Sequence, residues 1–129
     1  MFRLQNLKSF KISGGAVLSV SASNIFDLAY NTKDLTQENF QGENIPYGIE
    51  TSCNLTFTCS LANYAELLSN MINIYNIIEV KFKDYTKTFS NQMYTVQKIR
   101  QSGESVLVKL NFIARQRGNL LTPDPPVPI

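Results

Sequence analysis

The stretch that decides the fold of this chain lies at residues 48–59 and reads GIETSCNLTFTC. From Ile49 onward its residues alternate between two kinds. One parity is mainly apolar and consists of Ile49, Thr51, Cys53, Leu55, Phe57 and Cys59. The other is polar, contains no lysine or arginine, and consists of Glu50, Ser52, Asn54, Thr56 and Thr58. A period of two that is rich in threonine, aromatic and apolar residues predicts a long, half-buried β-strand.

The composition is that of one folded domain. The chain has 129 residues, of which 43% are hydrophobic and 17% charged, and a chain of this size can bury one continuous core. The net charge of +2 is too small to indicate a nucleic-acid or membrane binder by itself. No apolar run approaches the ~20 residues that cross a bilayer, and the first residues lack the apolar segment of a signal peptide. We therefore expect a protein that is made in the cytoplasm and does not insert into membranes.

The two cysteines lie on the apolar parity of the predicted strand. Six positions apart, Cys53 and Cys59 would stand roughly 20 Å from each other, which is beyond the reach of a disulfide. The sequence contains no histidine, so a zinc site is not expected either. We expect two small residues that contribute to the core.

The segments before this strand predict two shorter strands and a long loop. Residues 16–23, AVLSVSAS, alternate after the turn-forming sequence Ser13-Gly14-Gly15, and residues 24–30 are expected to pair with or continue them. Residues 31–48 are polar, contain one proline and two glycines, and show no sustained period. Their length and polarity predict a long loop, and long loops in compact domains are usually functional.

The segments after it predict a helix and three strands. The period changes at residue 61, and one helical stripe is formed by Leu61, Tyr64, Leu67, Leu68, Met71, Ile74 and Tyr75. This predicts an amphipathic helix over about 61–75 whose N-terminus is capped by Ser60. Strands are predicted at 77–85, 93–101 and 104–116, with a tight turn at Ser102-Gly103 joining the last two.

The order of elements predicts an α+β fold that is mainly β. We expect an antiparallel β-sandwich or partial barrel of about six strands with one flanking helix. Residues 1–117 would form this domain, and the proline-rich residues 118–129 would form an extended C-terminal arm. Strands of this length leave unpaired edges in a small domain, and copies of the same chain could cover them.

Catalysis is not expected. Without histidine the chain lacks the commonest general acid-base residue. It has no glycine-rich phosphate loop, no nucleophile elbow and no patterned acidic residues, so we expect neither a cofactor nor a metal. The sequence does not exclude a hydrolase with two catalytic carboxylates, because residues distant in sequence can form such a pair in the fold.

A small nucleic-acid-binding module is an alternative. The last three strands carry basic residues with two tyrosines nearby, which is one way to build an oligonucleotide surface. Glu79 and Asp84 interrupt this set and dilute it. The basic residues are Lys81, Lys83, Lys98, Arg100, Lys109 and Arg115, and the tyrosines are Tyr85 and Tyr94.

Taken together, the elements resemble the tail tube proteins of long-tailed bacteriophages, whose fold is shared with the tube protein of type VI secretion systems. AVLSVSASNIF resembles the opening strand, GIETSCNLTFTCSLANYAELLSNM the central strand followed directly by the helix, and ESVLVKLNFIA the closing strand. The resemblance implies a structural virion protein, assembled in the host cytoplasm. It implies hexameric rings that stack into a tube, with strands from six subunits closing a barrel around a channel. Its partners would be other copies and further tail proteins, such as sheath, terminator or baseplate.

The resemblance also suggests which residues would line the channel and which would contact other subunits. DNA would pass through the channel without specific binding, and a wall of hydroxyls without cations would not hold phosphates. Glu50, Ser52, Asn54, Thr56 and Thr58 would line this channel. Leu35 and Phe40, in the predicted loop, would contact the stacked ring. The C-terminal arm would add contacts through Pro123, Pro125, Pro126, Val127 and Ile129. The chain is small for the family and its net charge is positive where such channels are commonly acidic, so a tube terminator, tube initiator or baseplate protein is the alternative role.

Overall fold

The alternating stretch forms the centre of the longest strand of the fold. The computed structural model describes residues 6–117 of the chain, which form eight strands, one α-helix and a short 3-10 turn at Ala22–Asn24. The helix, α1, spans Leu61–Ser69. The strands are β1 Leu7–Ser13, β2 Leu18–Ser21, β3 Ile25–Glu38, β4 Asn44–Ser60, β5 Ile77–Phe82, β6 Thr86–Phe89, β7 Thr95–Ser102 and β8 Ser105–Arg117.

The eight strands make two antiparallel sheets that pack face to face. One has the order β2-β1-β5-β6, and the other, which we call the long sheet, has the order β3-β4-β8-β7. Phe10 and Phe57 meet across the core with ring centroids 6.1 Å apart, and Phe89 and Phe112 meet at 5.2 Å. All four side chains are buried. The predicted class, a mainly β α+β sandwich with one helix, is confirmed.

The prediction of about six strands misses β1 and β6. In β1 a register irregularity between Leu7 and Ser9 shifts the buried parity, so Leu7 and Phe10 are both buried although they are three residues apart. This interrupts the period of two that would have marked the strand. Strand β6 has four residues and buries only Phe89, which is too short a segment to show a period.

The long loop predicted at residues 31–48 is wrong, because most of this segment is the outer half of a β-hairpin. Strand β3 continues to Glu38, and β4 begins at Asn44, with paired residues along both. The turn between them is held by Asn39, whose Oδ1 accepts hydrogen bonds from the backbone N–H groups of Gln41 and Glu43 at 3.0 and 2.9 Å. Apart from Gly48, no residue of this outer half is buried, so no alternation of apolar residues marks it.

The helix begins where the sequence predicts and ends earlier. Ser60 caps it, its Oγ accepting from the backbone N–H of Asn63 at 3.1 Å. It ends at Ser69, not at residue 75, because Asn70 folds back and donates from Nδ2 to the carbonyl of Glu66 at 2.9 Å. Ile74 and Tyr75, on the predicted apolar stripe, therefore lie beyond the helix and are 54% and 71% exposed.

A buried asparagine organises the turn after the helix. The Asn76 side chain is fully buried; its Nδ2 donates to the carbonyls of Asn70 and Asn73 at 2.7 and 2.9 Å. Its Oδ1 accepts from the backbone N–H of Ala16 at 3.0 Å. The side chain thus satisfies three backbone groups and ties the end of the helix to the turn that leads into β2.

Substituting Gly14 by alanine should destabilise the fold through this junction. Gly14 has φ +95°, and a Cβ there would lie 2.1 Å from the Tyr75 carbonyl oxygen, so backbone must move. Gly103 is a matched control, since its φ is +61° and no atom lies within 4 Å of its Cβ position. Both substitutions should lower the free energy of unfolding by roughly 1–2 kcal/mol through backbone strain. Gly14→Ala should lower it by about 2 kcal/mol more because of the clash. Urea unfolding measures both, and equal losses would contradict the close contact.

Candidate functional site

The five residues predicted to line a channel lie on one side of β4, facing away from the core. They are partly exposed, whereas the alternate residues from Thr51 to Phe57 are buried. We call this side of the long sheet, together with the matching residues of β3, β7 and β8, the polar face. The structure brings the five into one row that spans roughly 27 Å. They are Glu50, Ser52, Asn54, Thr56 and Thr58.

The neighbouring strands supply most of the polar face beside β4. Cα register places Ser52 between Asn31 of β3 and Ile113 of β8. Asn54 lies beside Asn111 of β8. The centre of the face is therefore made of hydroxyl and amide groups, with Ile113 as an exposed apolar residue.

Cations reach the polar face from the strands on either side of β4. Lys33 and Arg115 are the register partners of Glu50 on β3 and β8. Lys33 Nζ lies 3.4 Å from Glu50 Oε1, and Arg115 Nε donates to Glu50 Oε2 at 2.9 Å. The absence of cations therefore holds for β4 alone and not for the sheet. Sequence reasoning missed both partners because they lie 17 and 65 residues away from Glu50, and only the strand register joins them.

Three further charges lie on the polar face. Asp27 and Lys109 flank Thr56 from β3 and β8, and Arg100 of β7 is the register partner of Leu107. Within residues 6–117 the two ion pairs both involve Glu50, so Lys109 and Arg100 are not neutralised by direct contact. The face is mixed in sign and mainly uncharged along its central row.

The two residues predicted to contact a stacked ring lie in different parts of the β3–β4 hairpin. Leu35 lies on β3 opposite Gly48 and is half-buried. Phe40 lies in the turn and is fully exposed, at 106% of its reference area. Ile45 and Tyr47, which the sequence reasoning missed, add exposed apolar surface to the outer part of β4. We call residues 34–49, the outer half of this hairpin, the hairpin tip.

The long sheet has two outer strands. Strand β3, with 14 residues, pairs only with β4, and β7, with eight residues, pairs only with β8 in the part of the chain that the structure describes. A flat outer strand of this length exposes a row of backbone N–H and C=O groups that another chain can pair with. Both edges of the long sheet are therefore available to pair with another chain.

The basic residues considered for nucleic-acid binding do not share one surface. Lys81 lies on β5 and Lys83 just beyond it, in the sheet that does not contain β7 and β8. The remaining four lie on the long sheet, where Arg115 is bound to Glu50. The predicted stripe is therefore divided between the two sheets.

A cleft of about 530 Å³ opens beside the polar face, between the end of α1 and the start of β7. Its walls include Met71, Ile72, Met93 and Tyr94. The Tyr94 hydroxyl donates to the carbonyl of Leu67 at 2.7 Å. Burial, with the Glu66 carboxylate adding to it, raises the pKa of Tyr94 to about 12, so the hydroxyl keeps its proton at neutral pH. The cleft joins four separate segments, and no local pattern in the sequence indicates it.

The two cysteines are free thiols. Burial raises the pKa of Cys53 to about 12 and also raises that of Cys59. The thiolate is the form that reacts and binds metals, and raising the pKa disfavours it. Cys53 is buried in the core as predicted, and Cys59 is partly buried against it.

Three remaining predictions concern membranes, metals and the C-terminal arm. None of the helices within residues 6–117 is long and apolar enough to cross a membrane. In the same range, no three acidic, cysteine or histidine side chains cluster as a metal site would require. The predicted arm contacts, Pro123, Pro125, Pro126, Val127 and Ile129, lie outside the described residues.

Comparison with known proteins finds likeness of structure and not of sequence. No protein-family model matches the chain, and no curated protein matches it. A solved structure with a similar fold is described as "Tail of empty GTA particle computed with helical refinement, C6 symmetry". The TM-score is 0.53 at 11% sequence identity, and the match covers 89% of this chain and 97% of that one. At this identity the likeness establishes a shared fold over nearly the whole length of both chains.

Proposed function

We propose that this protein is the ring-forming subunit of a phage-type tail tube whose channel conducts DNA, a structural and not a catalytic role. The observation that carries the proposal is the long sheet, which has four antiparallel strands of up to 17 residues and two outer edges without a partner among the described residues. A fold shared with a chain of a sixfold-symmetric tail supports it.

The strand directions of the long sheet suit closure into a ring. Its four strands alternate in direction, so β3 and β7 run antiparallel to each other. A copy generated by rotation about an axis along the strands would place its β3 beside β7 of the first copy, again antiparallel. Repetition of this head-to-tail step would close a barrel of long sheets in which neither β3 nor β7 stays at a free edge.

The polar face would form the channel wall. Ser52, Asn54, Thr56 and Thr58 hydrate the wall and offer no cation to phosphates. Lys33 and Arg115 are each in contact with the Glu50 carboxylate, and this reduces the positive charge that would otherwise attract DNA. The opposite side of the same sheet is buried in the core, so the polar face is the side of the long sheet that is available to line a channel.

The hairpin tip would contact the next ring. It reaches past the described part of β8, because Gly48 already pairs with Arg117, the last residue that the structure describes. Phe40 at its end is an apolar side chain with nothing of the described chain to cover it. Stacking would bury this residue, and the proline-rich arm at 118–129 would add contacts to those of the hairpin.

Negative-stain electron microscopy of the purified protein tests this proposal. We expect rings, or tubes of stacked rings, with a central hole, because only closure covers both edges of the long sheet. A monodisperse monomer of 14.6 kDa at high protein concentration would contradict it.

A further inference from the structure

Strand β8 has an outer edge of its own beyond the start of β7. The first residue of β7, Thr95, lies opposite Asn111, whereas β8 continues to Arg117. Residues 112–117 pair with β4 on one side, and no strand among the described residues pairs with them on the other. The unpaired backbone groups of such an edge can accept a further strand.

The backbone groups on this edge belong to alternate residues. Gln92, in the segment that leads into β7, donates from Nε2 to the Ile113 carbonyl at 3.0 Å, so this carbonyl points to the β7 side. Because backbone direction alternates along a strand, Arg115 and Arg117 point the same way, while Ala114 points to β4. The side chain of Gln92 already occupies one end of the edge, which leaves the four residues 114–117 open to pairing.

The sequence after β8 predicts a turn at the other end. Outside the described residues it reads GNLLTPDPPVPI from Gly118. Gly-Asn between two extended segments is typical of a two-residue hairpin turn with glycine at the first central position. Such a turn would place Leu120 opposite Arg117 and Thr122 opposite Arg115, so that the chain returns along the open edge.

The first proline of the arm agrees with this register. Leu120 and Thr122 would direct their N–H groups to β8, and both residues have one. Pro123, which has none, would lie opposite Ala114 with its nitrogen directed away from β8, which is where an edge strand accommodates proline. A turn longer by one residue would direct Pro123 to β8, so the sequence favours the two-residue turn.

We propose that residues 120–123 pair with residues 114–117 of β8 in the same copy and add a short fifth strand to the long sheet. The contact lies within one chain and does not depend on the proposed ring. Pro123 would offer no N–H group to a further strand, so this part of β8 would be closed to other copies. The edges of β3 and β7 would remain for the contact between subunits, and residues 124–129 for other contacts of the arm.

Cysteine cross-linking tests the register. In Arg115→Cys/Thr122→Cys the two Cα atoms would lie about 5.5 Å apart, a distance that a disulfide spans. In the control, Arg115→Cys/Leu121→Cys, the two side chains would point to opposite sides of the sheet. We expect the first variant to form a disulfide roughly tenfold faster or more, in a product with the mass of one chain. Burial raises the pKa of Cys53 and Cys59, so these thiols should compete poorly.

A matched pair of proline substitutions tests the hydrogen bonds. Thr122→Pro removes an N–H group that would face β8, and Leu121→Pro removes one that would face away. Hydrogen exchange of the Arg115 amide should become roughly tenfold faster or more in Thr122→Pro and stay unchanged in Leu121→Pro. The Ala114 amide, which points to β4, should exchange at the same rate in both variants and serves as the internal control.

The outcomes separate pairing within the copy from other roles of the arm. Equal cross-linking rates in the two cysteine variants would overturn the proposal, since an unpaired arm closes loops that differ by one residue equally well. Equal exchange of the Arg115 amide in the two proline variants would overturn it too. A cross-linked product with the mass of two chains would show that the arm pairs with another copy instead. Neither measurement requires rings, so failure here leaves the proposed function standing, and a protein without rings leaves this contact testable.

Discussion

Tubes of a Ser52→Lys/Thr58→Lys variant are expected to form normally and to deliver DNA at least an order of magnitude less efficiently. Both residues lie on the polar face, and their β8 register partners, Ile113 and Leu107, are uncharged. The new lysines therefore meet no like charge directly across that strand pair, and assembly should be spared. Each subunit would add two cations to the channel wall, and phosphates bound there release counterions, which favours retention of the DNA.

The measurement is the number of infectious or DNA-delivering particles relative to assembled particles. Ser52→Gln/Thr58→Gln is the control for side-chain size, and Thr86→Lys/Thr88→Lys places the same charge on exposed residues of β6, in the other sheet. Both controls should deliver DNA normally. Retention of DNA by the lysine tubes should decrease with rising salt, as phosphate contacts do. Normal delivery by the Ser52→Lys/Thr58→Lys particles would refute the assignment of the polar face to the channel.

A Phe40→Ser variant is expected to form rings that do not elongate into tubes. Phe40 is fully exposed in the isolated chain, so its removal should change the free energy of unfolding by no more than about 0.5 kcal/mol. A buried aromatic anchor at an interface typically contributes about 2 kcal/mol or more. Every subunit of a ring would lose this contact at once, so the effect on stacking should far exceed that on a single pair.

Tube lengths measured by electron microscopy test this prediction, with Gln41→Ser as the control at the neighbouring position of the same turn. The Gln41→Ser protein should form tubes of the original length. Tubes of normal length from Phe40→Ser would show that stacking depends on other residues. A large loss of stability would show that Phe40 packs within its own chain, against its observed exposure.

The parts of the fold that alternate or have a defined cap could be predicted from sequence. In β4 one side is buried along the whole segment from Thr51 to Phe57, and burial of one side is what produces a period of two. Ser60 could be recognised as the N-cap because its hydroxyl replaces a missing helix partner locally. The turn at Gly103 could be predicted too, because its backbone has a positive φ, which favours glycine.

What the sequence did not reveal depends on distant partners. The hairpin tip has no buried side, so its strands are held by backbone pairing that leaves no mark on side-chain type. The helix ends early because Asn70 folds back onto the carbonyl of Glu66. Asn76 then binds the carbonyls of Asn70 and Asn73 beyond it, an arrangement that a helical stripe cannot predict. The charge of the polar face could not be judged from β4 alone, because Lys33 and Arg115 approach Glu50 from other strands.

A three-dimensional electron cryomicroscopy reconstruction of the assembled protein tests the central claim most directly. We expect sixfold rings in which the long sheets of neighbouring subunits join, β3 beside β7, with Ser52, Asn54, Thr56 and Thr58 at the wall of an open channel. Rings lined by the β2-β1-β5-β6 sheet, or particles without a channel, would contradict the account.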